Sequence, residues 1–250
     1  MSDGGGAPRR KALIEVRHVS KIYKTGTKVS ALSSLSLEFQ SGEFTAIAGP
    51  SGSGKSTLLN LLGTLDTPTQ GEIYFEGRRI SDLPPEQTAD FRLRMLGFIF
   101  QAYNLIPVLT AVENTEYPLI LQDAPPAERR ARAMEALKSV GLEALADRRP
   151  DMLSGGQQQR VAVARSMVHR PRVVLADEPT ANLDSKTAAA LMDLMQSLNR
   201  EHGLTFIFSS HDPVVLSRAT RVVHIRDGRL VDPSEAHPAP ERKPDPDGVA

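Results

Sequence analysis

Apolar and polar positions alternate along the chain with two different periods. Strand-length apolar runs bounded by turn residues predict buried parallel strands at Phe44–Ala48, Val173–Ala176 and Leu204–Phe208. A helical repeat at i, i+3, i+4 and i+7 lies between the last two runs, at Leu191, Leu194, Met195 and Leu198. Gly203 follows and predicts the end of that helix. Strands and helices in alternation are typical of an α/β fold with a parallel sheet.

The middle of the chain has a mainly helical pattern, from Glu86 to His169. One helix is predicted before a stop at Gly141, with a face made of Ala127, Ala131, Met134 and Leu137. A second helix is predicted at 154–169, before Pro171. We therefore expect a helical subdomain at residues 89–168, inserted between the core segments 12–88 and 169–231.

The two ends differ from the rest of the chain in composition. Residues 1–11 are glycine-rich and polar, and residues 232–250 combine prolines and charges with almost no apolar side chains. Such segments bury too little apolar surface to fold, so we predict two disordered tails. The rest of this chain of 250 residues suffices for one α/β domain with an inserted subdomain.

Charge and cysteine content argue against several classes of function. The 30 basic and 30 acidic residues balance, whereas a dedicated nucleic-acid binder carries a basic excess. The absence of cysteine excludes disulfides and thiol catalysis and fits a cytosolic protein. No apolar run approaches the roughly 18 residues of a membrane span, and the N-terminus lacks the apolar region of a secretory signal. We expect any membrane role to require a partner protein.

A glycine-rich loop follows the predicted strand Phe44–Ala48 and precedes a helix predicted at Ser56–Leu62. Its sequence fits G-x-x-x-x-G-K-[ST], with the residues Gly49, Pro50, Ser51, Gly52, Ser53, Gly54, Lys55 and Ser56. Glycines let backbone N–H groups turn toward phosphates, and the helix dipole adds positive potential. We expect Lys55 to neutralise the β- and γ-phosphates and Ser56 to ligate Mg²⁺, with Thr57 close by. The alternative is an ordinary glycine-rich turn.

Two carboxylates end the predicted strand Val173–Ala176. At the C-terminal edge of a parallel sheet, Asp177 is expected to hold Mg²⁺ through water. Glu178 then lies next to the γ-phosphate and is expected to orient or deprotonate the attacking water. An acidic pair after a strand can also be a solvated strand end.

A second predicted helix start carries the sequence LSGGQ, in which Ser154 is the cap and Gly155, Gly156 and Gln157 follow. Free N–H groups and the helix dipole make this start another anion site. If each nucleotide needs both sites, and the two lie on different subdomains, two chains must pair head to tail. The alternative is an ordinary capped helix.

With the glycine-rich loop, LSGGQ and the acidic pair following one another in that order along the chain, the sequence resembles the nucleotide-binding subunits of ATP-binding cassette (ABC) transporters from Leu13 to Val231. The resemblance implies the P-loop NTPase core of that family, an inserted helical subdomain and a small antiparallel β region. It also implies ATP and Mg²⁺ as cofactors, ATP hydrolysis, and an ATP-dependent dimer of two copies.

The resemblance assigns roles to single residues as well. Gln101 matches the glutamine that senses Mg²⁺ and the γ-phosphate and lies against the permease, and Tyr23 matches the aromatic residue that stacks on adenine. Asn182-Leu183-Asp184 matches the D-loop at the dimer interface. His211 matches the histidine that contacts the γ-phosphate. Taken singly, such residues are more often packing residues, turns or helix caps.

Within the family, residues 99–119 and 153–184 resemble the lipoprotein-release and macrolide-export branch, of the LolD and MacB type. This implies a separately encoded permease and a peripheral location on the cytoplasmic face of the cell membrane. The competing class is a soluble cassette ATPase that acts on ribosomes or DNA, whose members carry two cassettes or a long coiled coil. A small kinase or GTPase would not need LSGGQ, and Glu178 argues against a purely regulatory nucleotide binder.

Overall fold

The computed structural model describes residues 12–232, so the predicted tails lie outside it except for Asp232. The strands are β1 (Ile14–Thr25), β2 (Thr27–Phe39), β3 (Phe44–Ala48), β4 (Gln70–Phe75), β5 (Arg78–Arg79), β6 (Leu96–Ile99), β7 (Val173–Ala176), β8 (Thr205–Ser210), β9 (Arg221–Arg226) and β10 (Arg229–Val231). The α-helices are α1 (Lys55–Leu62), α2 (Pro85–Met95), α3 (Ala111–Leu121), α4 (Pro126–Ser139), α5 (Gly155–Met167), α6 (Ser185–His202) and α7 (Pro213–Leu216). Two 3₁₀ turns lie at Glu143–Leu145 and Pro150–Met152.

The core is a six-stranded sheet in the order β10-β9-β3-β8-β7-β6. Its strands run parallel except β10, which pairs antiparallel with β9. β3, β7 and β8 are buried along their whole length, so the predicted segments Phe44–Ala48, Val173–Ala176 and Leu204–Phe208 read as mostly apolar runs rather than as alternating ones. The expected α/β fold with a parallel sheet is confirmed.

Successive residues of the central strands enter two different apolar cores. In β8, Phe206 and Phe208 pack with Phe44 and the helices α3 to α6, with the Phe44 ring 5.6 and 4.9 Å from theirs. Ile207 points the other way, to a core shared with α1 and the second sheet. That second sheet is four-stranded and antiparallel, in the order β2-β1-β4-β5. It is the small antiparallel region that the sequence predicts.

The face predicted for α4 is correct at Leu137 and Met134 and wrong at Ala127 and Ala131. Ala127 and Ala131 are exposed and Met134 is half-buried, whereas Ala133, Ala136 and Leu137 form the buried face. Alanine carries so little apolar surface that it marks a helix face poorly. The face predicted for α6 does pack inward, and Gly203 ends that helix with a left-handed φ of 64°.

One strand lies inside the range expected for the helical subdomain. β6 pairs with β7 in the six-stranded sheet, because the chain returns to the core at Leu96 before it enters α3. The helical insertion therefore begins after Ile99 rather than at residue 89. The other domain bounds remain a prediction.

Among residues 12–232, no helix has both the length and the apolar character that crossing a bilayer requires.

Candidate functional site

The glycine-rich loop connects β3 to α1 at the C-terminal edge of the parallel sheet. Two of its glycines are required by close backbone approach: a Cβ at Gly49 would lie 2.1 Å from the Ile225 carbonyl oxygen, and one at Gly54 would lie 2.5 Å from that of Ala31. Gly54 also caps α1 with a φ of 107°. The first N–H groups of α1 have no acceptor within the helix, so they face the loop as free donors.

Lys55 is folded into the loop that precedes it. Its side chain is 6% exposed, and Nζ donates to the carbonyl oxygens of Gly49 at 2.8 Å and Pro50 at 3.0 Å. The same nitrogen lies 4.0 Å from Oε1 of Glu178. A cation is therefore held within the loop by two backbone carbonyl oxygens, where it could neutralise a polyphosphate.

Asp177 directly follows β7 and accepts two hydroxyl donors on one oxygen. Ser56 Oγ donates to Asp177 Oδ1 at 3.0 Å, and Ser209 Oγ donates to the same atom at 2.6 Å. Ser56 is on α1 and Ser209 is on β8, so the carboxylate joins three elements. The hydroxyl and the carboxylate together offer the hard oxygen ligands that Mg²⁺ prefers.

Glu178 adopts a left-handed backbone conformation, with φ of 44°. Its N–H donates to Ser209 Oγ at 2.9 Å. Its Oε1 lies 3.0 Å from Nδ1 of His211, and because an ionised carboxylate only accepts hydrogen bonds, the imidazole is the donor. The structure thus brings Glu178, His211 and Lys55 together beside the loop.

Tyr23 projects from β1 toward the end of the segment that follows α1. Its phenol donates to Asp66 Oδ2 at 3.0 Å, and Lys21 Nζ lies 5.0 Å above its ring. Burial raises the pKa of Tyr23. Burial also raises that of Asp66, but hydrogen bonds from Lys21, the Thr67 N–H and Tyr23 outweigh it and leave the pKa of Asp66 below its ordinary value. The tyrosine ring is therefore fixed at one edge of the site.

Gln101 lies just after β6, in a segment held by three side-chain bonds. Asn182 Nδ2 donates to the Gln101 carbonyl at 2.9 Å. Arg165, on α5, donates to the carbonyl oxygens of Tyr103 at 2.8 Å and Asn104 at 2.5 Å. Both of those residues have left-handed φ values, 59° and 50°. The sequence does not predict the contacts of Arg165, because their partners are backbone carbonyl oxygens 61 and 62 residues away.

Ser154 caps α5 in a reciprocal capping box. Its Oγ accepts from the Gln157 N–H at 3.3 Å, while Gln157 Oε1 accepts from the Ser154 N–H at 2.9 Å. A Cβ at Gly155 would lie 2.9 Å from Tyr103 Oη, and one at Gly156 would lie 2.5 Å from Thr187 Cγ2. The glycines are therefore needed for the neighbouring side chains to approach.

The two predicted anion sites are on different parts of the molecule. α5 packs against α3, α4, α6 and β6, whereas α1 packs against β2 and β8. Within residues 12–232, no hydrogen bond or ion pair joins Ser154–Gln157 to the loop 49–56. The structure therefore brings the loop 49–56 together with Asp177, Glu178 and His211. In the part of the chain that the structure describes, the helix start at Ser154 makes no hydrogen bond or ion pair with that loop.

Asp184 is the N-cap of α6. Its Oδ1 accepts the N–H groups of Lys186 and Thr187, each at 3.0 Å, and its Oδ2 accepts the Thr187 hydroxyl at 2.6 Å. The bond from the Thr187 hydroxyl is the main reason that the pKa of Asp184 is lowered. A capping role is thus established for this residue, and an interface role stays a prediction.

A groove of about 810 Å³ opens between α2, β6, α3 and α5. Its lining is largely apolar and includes Leu93, Phe98, Phe100, Tyr117 and Leu121. Tyr117 and Leu121 are 38% and 53% exposed. Asn104 and Arg165, from the segment after Gln101 and its clamp, also line this groove.

A parallel sheet with a glycine-rich loop before a helix, a loop lysine and a strand-end acidic pair define a P-loop nucleotide hydrolase. The family model described as ABC transporter matches residues 32–181. The chain belongs to the ABC transporter family, and it is an ATPase with the cassette fold of that family.

Similar proteins include two uncharacterized ABC transporter ATP-binding proteins of Methanocaldococcus jannaschii. MJ1508 is 47% identical over 88% of this chain and 98% of its own length, and MJ0796 is 45% identical over 87% and 95%. A Thermotoga maritima protein of the same description is 48% identical over 88% of this chain and 94% of its own.

Two solved structures have the same fold. The ATP-binding cassette MJ0796, a dimer in a post-hydrolysis state bound to ADP and Pi, has a TM-score of 0.80 at 44% identity, covering 87% of this chain and 96% of that one. The Clostridium perfringens protein cbiO1, part of the ABC transporter complex cbiONQ, has a TM-score of 0.81 at 30% identity, covering 88% and 87%.

Proposed function

We propose that this chain is the ATP-hydrolysing subunit of an ABC transporter that pairs head to tail with a second copy on binding Mg-ATP and drives a separately encoded permease. The observation that carries the proposal is the separation of its two anion sites. The loop around Lys55 and the helix start at Ser154 lie on different packing units of one chain. A second copy would supply the missing half of each nucleotide site, in keeping with the dimeric cassette MJ0796.

Binding and positioning account for most of the chemistry. The free N–H groups of α1 and the Lys55 ammonium would hold the β- and γ-phosphates, and Tyr23 would stack on the adenine. The Ser56 hydroxyl and the Asp177 carboxylate fit Mg²⁺, since they are adjacent oxygen donors 3.0 Å apart. When bound, Mg²⁺ would neutralise charge on the phosphates. Gln101 would sense the metal and the γ-phosphate.

We assign to Glu178 the activation of the water that attacks the γ-phosphate. Its carboxylate is within reach of both the loop lysine and His211, so it can accept a proton from water while His211 and Lys55 compensate charge on the γ-phosphate. The Ser154 helix start of the other copy would add donors from the opposite side. Asp184, from the loop that follows Glu178, would lie at the interface between the copies.

The groove lined by Phe98, Phe100 and Tyr117 supports a membrane partner. Apolar grooves of this size mark sites where another protein docks. Asn104 lines this groove, so a docked permease segment would contact the stretch that begins at Gln101. On this proposal the chain is peripheral, at the cytoplasmic face of the membrane, and its permease is of the lipoprotein-release or macrolide-export kind.

Glu178→Gln tests the catalytic part. We expect hydrolysis to fall by about 10² to 10⁴-fold while ATP binding is kept, because only the proton acceptor is lost. The stabilised ATP complex should elute as a dimer in gel filtration with Mg-ATP and as a monomer without it. Glu143→Gln, an exposed carboxylate on the 3₁₀ turn, is the matched control and should leave both measurements unchanged. Hydrolysis at the wild-type rate in Glu178→Gln would refute the role.

The partner is tested by capture. Tagged Glu178→Gln protein, expressed in its native host and held with Mg-ATP, is extracted from membranes in mild detergent and its companions are identified by mass spectrometry. Recovery with a four-span permease that has a large extracytoplasmic domain supports the proposal. Recovery only in the soluble fraction with ribosomes or DNA would overturn the transporter role and leave the ATPase intact.

A further inference from the structure

Ser209 is fully buried at the end of β8 and bonds to both carboxylate residues of the site. Its hydroxyl donates to Asp177 Oδ1 at 2.6 Å and accepts the N–H of Glu178 at 2.9 Å. A hydroxyl can donate one bond and accept others, so both contacts form together. The apolar run that predicts this strand ends at Phe208, so Ser209 is not among the site residues predicted from the sequence.

The N–H of Glu178 needs this acceptor. β7 ends at Ala176, and the N–H of Asp177 still pairs with the Ile99 carbonyl at 3.0 Å. One residue later the backbone turns left-handed at Glu178, so its N–H leaves the sheet ladder. A strained backbone of this kind persists only where its surroundings fix it. The Ser209 hydroxyl supplies that fixation from the neighbouring strand.

The donated bond selects one orientation of the Asp177 carboxylate. Ser56 and Ser209 both donate to Oδ1. Asp177 Oδ2 accepts no hydrogen bond from residues 12–232. The first oxygen is therefore anchored to α1 and β8, and the second is left for a ligand of the site.

We infer that Ser209 is a positioning residue for ATP hydrolysis, which fixes the carboxylate of Asp177 toward the metal and the backbone of Glu178 toward the attacked phosphate. The inference rests on the proposed function and extends it to a residue of β8 that would touch neither nucleotide nor metal. Ser209 acts through its two neighbours, so its loss changes catalysis and metal binding while the phosphate loop stays intact.

The test compares Ser209→Ala with Ser209→Thr, which keeps the hydroxyl. Ser166→Ala is the matched control. Ser166 is also buried, but its hydroxyl donates to the Val163 carbonyl within α5, away from the site. We expect kcat to fall by about tenfold or more in Ser209→Ala and KM for Mg-ATP to rise several-fold, since a hydrogen bond to a charged group is lost. Ser209→Thr should recover most of kcat, and Ser166→Ala should leave kcat unchanged.

A second readout does not depend on activity. The affinity for a fluorescent ATP analogue is measured with EDTA and with Mg²⁺. For Ser209→Ala we expect wild-type affinity in EDTA and a gain on adding Mg²⁺ that is several-fold smaller than in wild type. Equal gains in Ser209→Ala, wild type and Ser166→Ala would overturn the inference, as would a wild-type kcat in a folded Ser209→Ala.

Ser209→Cys serves if the alanine variant fails to fold. It keeps a side chain of similar size with a much weaker donor, and the same losses in kcat and Mg²⁺-dependent affinity are expected. Wild-type values in Ser209→Cys would reject a positioning role. If the wild-type protein hydrolyses no ATP, the proposed function fails, and the Mg²⁺-dependent affinity still decides whether Ser209 orients Asp177.

Discussion

Asn182 and Gln101 are 81 residues apart in sequence and joined by one hydrogen bond, from Asn182 Nδ2 to the Gln101 carbonyl oxygen at 2.9 Å. The bond ties the loop after β7 to the segment after β6. These two strands are neighbours in the parallel sheet, so both loops emerge at the same edge. The bond therefore connects the loop that follows Asp177 and Glu178 to the segment that contains Asn104 and lines the groove.

Loss of that bond should affect turnover more than folding. In Asn182→Asp the shape is kept but the donor is removed, and a carboxylate oxygen then faces a carbonyl oxygen. We expect kcat to fall several-fold, with the free energy of unfolding lowered by about 1 kcal/mol or less, because the contact is exposed. Steady-state kinetics and urea unfolding measure the two. Asn182→Ala should have a similar effect, and full activity in either variant would contradict the expectation.

The Arg165 clamp should contribute to the stability of the segment 101–104. Arg165→Met removes two bonds to backbone carbonyls that hold left-handed residues, and we expect a loss of about 2 kcal/mol in the free energy of unfolding. Arg165→Lys should lose less, since an ammonium keeps the charge but cannot span both carbonyls. Arg160→Met removes a single bond, to the Val140 carbonyl, and serves as the control with a smaller loss.

A local probe can separate this effect from general destabilisation. The chain has no tryptophan, so Phe100→Trp places one reporter in the groove beside the clamped segment. In the Arg165→Met background we expect stronger quenching of its fluorescence by acrylamide at concentrations of denaturant where the fold is intact. Equal quenching with and without Arg165 would show that the clamp does not restrain the segment.

Two helices among residues 12–232 start with a capping box, and these two boxes provide a matched pair. Ser154 caps α5 with Gln157, and Thr110 caps α3 with Glu113. Replacing either cap by alanine should cost about 1 kcal/mol of stability. Only Ser154→Ala should also lower ATP-dependent dimer formation and kcat, because only that helix start is assigned to the nucleotide of the second copy. Equal effects of both variants on kcat would mean that Ser154 acts through stability alone.

We expect the buried imidazole of His169 to make the free energy of unfolding depend on pH. Burial lowers the pKa of His169 and the positive charge of Arg132 lowers it as well, whereas the hydrogen bond to the Leu96 carbonyl raises it, with burial the largest effect. The unfolded state therefore takes up a proton at a higher pH than the folded state does. The neutral His169 side chain therefore contributes its full stability above the unfolded-state pKa of about 6.5. As the pH falls below that value, the free energy of unfolding decreases by up to about 1.4 kcal/mol per pH unit.

Urea unfolding at pH 7.5 and pH 5.5 measures that loss. In His169→Gln, which can still donate to the Leu96 carbonyl, the difference between the two pH values should be smaller than in wild type. The exposed His202 is on α6, and His202→Gln controls for the removal of any histidine. An unchanged pH difference in His169→Gln would show that this imidazole does not titrate with folding.

Local chemistry in the sequence predicted the parts of the site that lie within one strand, loop or helix start. The loop at 49–56, the acidic pair after Val173–Ala176 and the cap at Ser154 each need only consecutive residues, because backbone direction and helix dipole follow from them. The buried central strands were likewise visible as apolar runs. The face of α4 was predicted only in part, at Leu137 and Met134, because its alanines carry no signal on which side faces the core.

Only the tertiary structure decided which distant groups meet. Ser209 reaches Asp177 and Glu178 from the next strand, Arg165 reaches carbonyl oxygens of Tyr103 and Asn104, and Asn182 reaches the Gln101 carbonyl. Serine, arginine and asparagine occur everywhere in a chain, and nothing in their local sequence marks a partner 31 to 81 residues away. Such bonds depend on strand order and register in the sheet, which are set by the packing of both cores and not by any single segment.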